Sequence, residues 1–272
     1  TVGYLGDGML DSVAIGEVFA SPPALAFYDA IVDADQGEGV AVLFGNYAGD
    51  NMNVKMAVQM AEDDDIEVKY VVANDDVASA PKAVKEQRHG IAGGFFMWKV
   101  GGARAAKGGS LDDVIASAQN VVNRTKSICV GLEPCVIPAL GHSNFKIEDG
   151  TMEFGVGHHG EAGTKVEKLK SASEMAQEMA ETILNDFDFE EGKEVAVMLS
   201  SLGATPVMEL YVLYDEVEKV LAKAGHKVWK TYIGNYVTSL DMNGASLTIV
   251  DLDDEIKELL SEPAVPIGMK NY

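Results

Sequence analysis

The chain has 272 residues, 47% of them hydrophobic and 24% charged, which is the composition of a globular protein with a sizeable core. Its net charge of −22 disfavours nucleic-acid binding, because proteins of that class usually carry a basic surface. No apolar run approaches the ~20 residues of a membrane span, and no basic and then apolar signal peptide opens the sequence. We therefore expect a cytoplasmic protein that binds neither nucleic acid nor a membrane.

Short apolar runs alternate with amphipathic segments along the chain. The predicted strands cover residues 40–44, 67–72, 194–199, 227–233 and 246–250. The predicted helices cover residues 51–61, 172–186, 207–224 and 253–260, with Gly225 ending the third of them. Strands that alternate with helices of this length predict an α/β fold.

A domain boundary is predicted near residue 115, where an Ala-rich helical segment flanked by glycine pairs gives way to more frequent strands. We expect a first α/β domain at residues 1–115, with a largely parallel sheet flanked by helices. A second, smaller mixed α/β domain is expected at residues 116–262. Residues 263–272 would then form a C-terminal tail.

The segment Met152–Gly163 is the most unusual in the chain, because it begins as a strand and then places four glycines and two histidines within nine residues. Glycine lacks side-chain bulk, so a ligand or a second backbone segment can approach it closely. The simplest interpretation is a strand-ending turn whose histidines are polar loop residues. A metal site of His158, His159 and Glu161 would need a sharply bent backbone, since adjacent strand residues face opposite ways, and we expect none.

Two further interpretations of this segment concern ligand chemistry. Residues 155–160 match the G-x-G-x-x-G pattern of dinucleotide-binding loops, but no helix follows the glycines as a pyrophosphate site requires. Alternatively, the neutral imidazole of His159 adds to a ketone carbonyl and forms a tetrahedral carbinolamine, which would fix the hydroxyls of a small substrate. The residues alone do not decide between this nucleophilic role and an ordinary loop histidine.

A second glycine-containing segment, Gly45–Asp50, connects a predicted strand to a predicted helix. Ligands of α/β sheets bind at the carboxyl ends of strands, which is where this segment lies. Asp50 is predicted either to cap the helix or to accept a proton from a substrate hydroxyl as a general base. The sequence contains no G-x-x-x-x-G-K-[ST] motif, so no nucleotide site of the P-loop kind is recognised.

Eight ordered motifs resemble the substrate-binding subunit of dihydroxyacetone kinases, the Dak1 domain family, over essentially the whole chain. They are Gly3–Asp11, Gly16–Pro22, Gly45–Asp50, Arg88–Gly93, Pro134–Pro138, Gly157–Glu161, Leu202–Pro206 and Thr238–Met242. The resemblance implies a homodimeric, two-domain α/β protein. In that family the histidine that matches His159 forms a hemiaminal with the substrate ketone, and the aspartate that matches Asp50 helps to deprotonate its terminal hydroxyl.

The resemblance also implies substrate contacts at Gly45 and Asn46, and a separate nucleotide-binding kinase subunit or domain that carries ATP or ADP with Mg²⁺. This chain itself is expected to bind no cofactor and no metal ion. The implied function is to hold dihydroxyacetone (glycerone) for phosphoryl transfer from that partner. Such a protein is a phosphotransferase with an alcohol acceptor and belongs to glycerol metabolism.

Two departures from the family pattern widen the expected function. Gly45 stands where many dihydroxyacetone kinases have lysine, and loss of that ammonium group opens space for a longer ketose such as erythrulose. The family's Gly-Ser-Gly-His-Glu-Pro box, whose histidine also acts on the substrate, would lie just before Thr1, so either this sequence is a fragment of a longer protein or the box is missing altogether. Its absence motivates a second alternative, a non-catalytic ketose-sensing co-regulator. His158 is an additional histidine where family members commonly carry an apolar residue.

Overall fold

A computed structural model describes residues 2–143, 145–188 and 192–268. Two short 3-10 helices cover Val2–Tyr4 and Lys82–Gln87. The α-helices of the described residues are α1 Ala24–Ala34, α2 Ala48–Asp63, α3 Gly94–Ala106, α4 Leu111–Asn123, α5 Ala172–Asp186, α6 Val207–Lys223 and α7 Asp254–Ser261. The strands are β1 Gly6–Asp7, β2 Val40–Gly45, β3 Val68–Ala73, β4 Thr125–Glu133, β5 Thr151–Phe154, β6 Lys165–Lys168, β7 Glu194–Ser201, β8 Lys227–Gly234, β9 Asn243–Asp251 and β10 Val265–Pro266.

The predicted α/β class is confirmed. Strands β2 and β3 pair in parallel, with Val40 opposite Val68 and Gly45 opposite Ala73. A mixed six-stranded sheet has the order β6-β5-β4-β9-β7-β8, in which β7 and β8 are parallel and the other pairs are antiparallel. Strands β1 and β10 form a separate antiparallel pair.

The chain forms two compact units, and neither is a continuous stretch of sequence. Unit 1 comprises residues 1–73, 94–123 and 253–272, and unit 2 comprises residues 74–93 and 124–252. The structure therefore differs from the predicted division at residue 115, which falls inside α4. Unit 2 was expected to be the smaller domain, yet it holds the larger sheet.

The C-terminal segment belongs to unit 1 because its side chains and backbone bond there. The ammonium group of Lys99 donates to the carbonyl of Leu259 at 2.9 Å, and Arg104 pairs with Glu255 on α7. Strand β10 supplies the partner of β1, so the predicted tail at 263–272 is built into the unit as far as residue 268. Residues 269–272 of that tail lie outside the described residues.

Each unit has its own hydrophobic core. In unit 1 the helices α1 and α2 pack around the pair β2–β3, with Val54 and Ala57 fully buried. In unit 2 the helices α5 and α6 bury Met179, Ile183 and Leu210 against the six-stranded sheet. Burial of such apolar area is the dominant favourable contribution to folding. Among the described residues, no helix combines the length and apolar character that a membrane crossing requires.

Candidate functional site

The loop that carries the two histidines begins where β5 ends. The chain turns at Gly155, whose φ is 75°, a conformation that favours glycine. A Cβ on Gly155 would lie 2.6 Å from the Cβ of Ala78, and a Cβ on Gly157 would overlap the carboxylate of Glu161. The amide of Gly157 donates to the carbonyl of Glu161 at 2.9 Å and closes the loop. The glycines therefore allow the Glu161 side chain to fold back across the segment that precedes it.

His159 is held by Glu161 through both its backbone and its ring. The amide of His159 donates to Oε2 of Glu161 at 2.8 Å, and its ring Nδ1 lies 3.0 Å from Oε1. Burial raises the pKa of the Glu161 carboxyl, but the hydrogen bonds from His159 outweigh it and bring this pKa to about 2. An ionised carboxylate only accepts hydrogen bonds, so Nδ1 carries the proton. A neutral imidazole in this tautomer has its lone pair on Nε2, and the side chain is 38% exposed.

His158 has the opposite environment. Its residue is 6% exposed, and burial lowers the pKa of its imidazole to about 4, so the ring is neutral at physiological pH. The backbone carbonyl of His158 accepts a hydrogen bond from the Ser239 hydroxyl, and among the described residues its Nε2 has no hydrogen-bond partner. The two adjacent histidines thus differ in access, and both lie in a turn that the amide of Gly160 closes on the carbonyl of Gly157.

Two buried carboxyls lie in the same unit, in the segment that contacts the start of the loop. Asp75 accepts hydrogen bonds from the amides of Ile91 and Gly93 at 3.0 and 2.7 Å. Burial raises the pKa of Asp76 to about 7, opposed by the Ala78 amide and assisted by the charges of Asp75 and Glu161. The side chain of Asp76 accepts from that amide at 3.0 Å. Asp76 is therefore largely protonated below neutral pH.

The predicted substrate-contact residues of unit 1 lie at the carboxyl end of β2. Gly45 is the last residue of the strand, and the amide of Asn46 donates to the carbonyl of Ala73 at 2.9 Å, which extends the pairing by one step. Oδ1 of Asn46 accepts from the side-chain amide of Asn51 at 2.8 Å. These bonds fix the backbone of the segment and the orientation of the Asn46 side chain.

Asp50 lies in the first turn of α2, which begins at Ala48 rather than at the predicted residue 51. The N-cap is Tyr47, which makes no side-chain cap bond, so Asp50 does not have the predicted capping position. The hydroxyl of Ser21 donates to Oδ2 of Asp50 at 2.8 Å. Among the described residues the structure records no partner for Oδ1.

The four predicted site residues thus fall into two local groups. Gly45, Asn46 and Asp50 share one strand-to-helix connection of unit 1, whereas His159 belongs to the loop of unit 2. Ser21 was not predicted as a site residue, because its bond to Asp50 joins positions far apart in sequence. Asp76 was missed although a signal existed, since two carboxyls directly follow a predicted strand. No group of three or more His, Cys, Asp or Glu residues suited to a metal ion occurs in the described part of the chain.

A family model described as the Dak1 domain matches residues 1–267. The chain belongs to the Dak1 family, as a DhaK-type protein. It is 41% identical over 253 residues to a PTS-dependent dihydroxyacetone kinase subunit, the dihydroxyacetone-binding DhaK of Listeria innocua, covering 93% of this chain and 77% of the relative. The predicted membership is thereby confirmed.

Two other relatives carry different functions. A D-erythrulose kinase of Mycolicibacterium smegmatis is 36% identical over 262 residues, which is 96% of this chain but only 45% of the relative. The solved structure of a dihydroxyacetone kinase operon co-activator superposes with a TM-score of 0.92 at 29% identity, covering 98% of this chain and 82% of the co-activator. Proteins similar to this chain therefore include kinases named for different ketoses as well as an operon co-activator.

Proposed function

We propose that this chain is the substrate-binding part of a short-chain ketose kinase and that it holds the ketose covalently on His159. The observation that carries the proposal is the bond between Nδ1 of His159 and Glu161, because it leaves the lone pair on Nε2 of a half-exposed ring. That nitrogen is a nucleophile suited to a carbonyl carbon. The names of the relatives supply the substrate class, dihydroxyacetone or erythrulose.

The proposed covalent step balances without any further reactant. Nε2 of His159 attacks the carbonyl carbon, a C–N bond forms, and the π bond of the ketone breaks to give an alkoxide. The alkoxide gains one proton, and the ring loses the proton on Nδ1, so that a neutral carbinolamine results. Glu161 stabilises the imidazolium that exists between these two proton transfers. Glycerol has no carbonyl group, so it cannot form this adduct.

Asp50 is proposed as the general base for the terminal hydroxyl of the same ketose. It lies in the first turn of α2, its Oδ2 accepts a hydrogen bond from Ser21, and its Oδ1 is proposed to accept the proton of the hydroxyl. Gly45 and Asn46 are proposed to line the substrate at the end of β2. The nucleotide and Mg²⁺ are proposed to reside on a partner kinase subunit or domain, and the protein is proposed to act as a homodimer.

Gly45 motivates a second candidate ketose. The residue at this position has no side chain, whereas the resemblance implies a lysine in many dihydroxyacetone kinases. Erythrulose is longer than dihydroxyacetone by one hydroxymethylene carbon, so the lack of a side chain at Gly45 supports a tetrulose as a second candidate substrate. A Gly45→Lys variant is then expected to lose adduct formation with erythrulose more than with dihydroxyacetone.

The test measures the adduct directly. The protein is incubated with [2-¹³C]dihydroxyacetone, with erythrulose or with glycerol, and the adduct is detected by ¹³C NMR and by intact-protein mass spectrometry. We expect an adduct with both ketoses and none with glycerol. His159→Ala should abolish it, whereas the matched control His142→Ala should not, because His142 is an exposed loop histidine.

Each outcome of this experiment bears on the proposal. Equal adducts in the wild-type and His159→Ala proteins would remove His159 from the mechanism, and absence of any wild-type adduct would refute covalent binding. Phosphoryl transfer is then measured with ATP and a nucleotide-carrying kinase partner. Formation of the adduct without a ketose phosphate would favour the ketose-sensing co-regulator over the kinase.

A further inference from the structure

We propose that Ser21 is the positioning residue of Asp50: its hydroxyl fixes one carboxylate oxygen so that the other is presented to the substrate hydroxyl. The proposal rests on the function proposed above and adds a residue that the motifs did not assign. The hydroxyl of Ser21 donates to Oδ2 of Asp50 at 2.8 Å, and Oδ1 has no partner recorded among the described residues. One donor on one oxygen sets the rotation of the carboxylate and leaves Oδ1 as the acceptor.

The bond is supported by the way the Ser21 loop is fastened to α2. The side-chain amide of Asn53, one helical turn after Asp50, donates to the carbonyl of Pro22 at 2.7 Å. The loop itself is compact, since a Cβ on Gly16 would lie 2.9 Å from the backbone of Pro22. Within the loop Phe19 has a φ of 56°, a left-handed conformation that a non-glycine residue adopts at an energetic cost. The loop is thus held against α2 in a constrained conformation that places the Ser21 hydroxyl beside Asp50.

The helix also makes room for this hydroxyl. Gly49 precedes Asp50 in the first turn of α2, and a Cβ at position 49 would lie 2.5 Å from Oγ of Ser21. Alanine would be the better helix former at this position, so helix stability does not explain the glycine. The close approach of the Ser21 hydroxyl does explain it. The hydrogen bond from Ser21 to Asp50 therefore depends on the absence of a side chain at Gly49.

The arrangement predicts which kinetic step each substitution affects. Ser21→Ala removes a hydrogen bond to a charged group and should lower kcat for phosphoryl transfer roughly tenfold. The fraction of protein in the ketose adduct should not change, because His159 carries that bond. Ser21→Thr keeps the hydroxyl and should recover most of the rate. Gly49→Ala keeps Ser21 but displaces its hydroxyl, so kcat should fall while the thermal midpoint stays the same or rises.

The experiment compares wild type with Ser21→Ala, Ser21→Thr, Gly49→Ala and Asp50→Asn, and uses Ser12→Ala as a control serine of the same unit. The adduct fraction is measured by ¹³C NMR with [2-¹³C]dihydroxyacetone, and kcat with ATP and a nucleotide-carrying kinase partner.

A loss of kcat in Asp50→Asn together with full activity in Ser21→Ala would overturn the role of Ser21 and leave the proposed function standing. A loss of adduct equal to the loss of kcat in Ser21→Ala would also overturn it, because it indicates a general structural defect. A wild-type protein that forms neither adduct nor ketose phosphate would overturn both proposals.

Discussion

Replacement of His158 by leucine should reduce the loss of unfolding free energy at acidic pH. The folded protein holds this imidazole at a pKa of about 4, because the ring is buried, whereas an exposed histidine has a pKa of 6.5. The folded state therefore binds fewer protons than the unfolded state between these two values. The contribution of the neutral His158 ring to the free energy of unfolding is therefore complete above pH 6.5 and is lost as the pH falls towards 4. A difference of this size corresponds to about 3 kcal/mol of unfolding free energy at its limit.

The assay is urea unfolding followed by circular dichroism at pH 7.5, 6.0, 5.0 and 4.5, for wild type, His158→Leu and the exposed control His142→Ala. Other titrating groups affect all three proteins alike, so the difference between wild type and His158→Leu isolates the buried ring. We expect this difference to change by about 2.5 kcal/mol in favour of the variant between the two ends of the series. His142→Ala should follow wild type. A difference that is the same at every pH would refute the assignment of a buried, neutral His158.

Two further predictions concern charged groups of unit 2. Arg88 is 1% exposed and donates to both oxygens of Asp186 at 2.7 Å, so Arg88→Met should leave a poorly solvated carboxylate and lower the unfolding free energy by about 3–5 kcal/mol. Lys219→Met is the matched control, since its pair with Asp215 is exposed and its loss should change the unfolding free energy far less in the same urea titration. Asp76→Asn should stabilise the protein at pH 8 more than at pH 5. Burial raises the pKa of Asp76 to about 7. The protonated carboxyl therefore makes its full contribution to stability below the ordinary aspartate pKa, and this contribution is lost as the pH rises through 7. Equal effects of Asp76→Asn on the thermal midpoint at the two pH values would contradict this sign.

The local elements of the chain could be predicted because their signals lie within a few residues. Helix α5 spans the predicted residues 172–186, and its start is fixed by a capping box in which Ser171 and Glu174 bond reciprocally. Helix α6 ends at Lys223, and Gly225 follows with a φ of 82°. The start of α5 and the end of α6 are each determined by residues close in sequence, so local sequence patterns predict them.

The division into units could not be predicted in the same way, because it depends on pairing between distant segments. Strand β4 pairs along its length with β9, with Thr125 opposite Val250, and the chain then returns to unit 1 through α7. A composition change near residue 115 gives no information about such a return. Local signals can indicate only a single boundary, whereas the two units of this chain are each assembled from separate segments.

The candidate site shows the same contrast between short-range and long-range information. The motif around His159 and the connection ending at Asp50 are visible in the sequence, since their residue types and spacings are local. The hydroxyl that orients Asp50 comes from Ser21, a separation of 29 residues, and no pattern in the sequence links the two. Asp75 and Asp76 lie between these cases, because their position after β3 could have been recognised but the burial that shifts the Asp76 pKa could not.

The choice between the two adjacent histidines rests on burial and on Glu161. His158 is neutral, but its buried ring offers no nitrogen to a substrate. His159 is accessible, and its Nδ1 faces a carboxyl whose pKa is about 2, so the carboxylate is ionised at neutral pH. A permanent acceptor on Nδ1 keeps the lone pair on Nε2 whenever the ring is neutral. The nucleophilic role proposed for His159 thus depends on the loop geometry, in which Gly157, without a side chain, lets Glu161 reach back to the residue two before it.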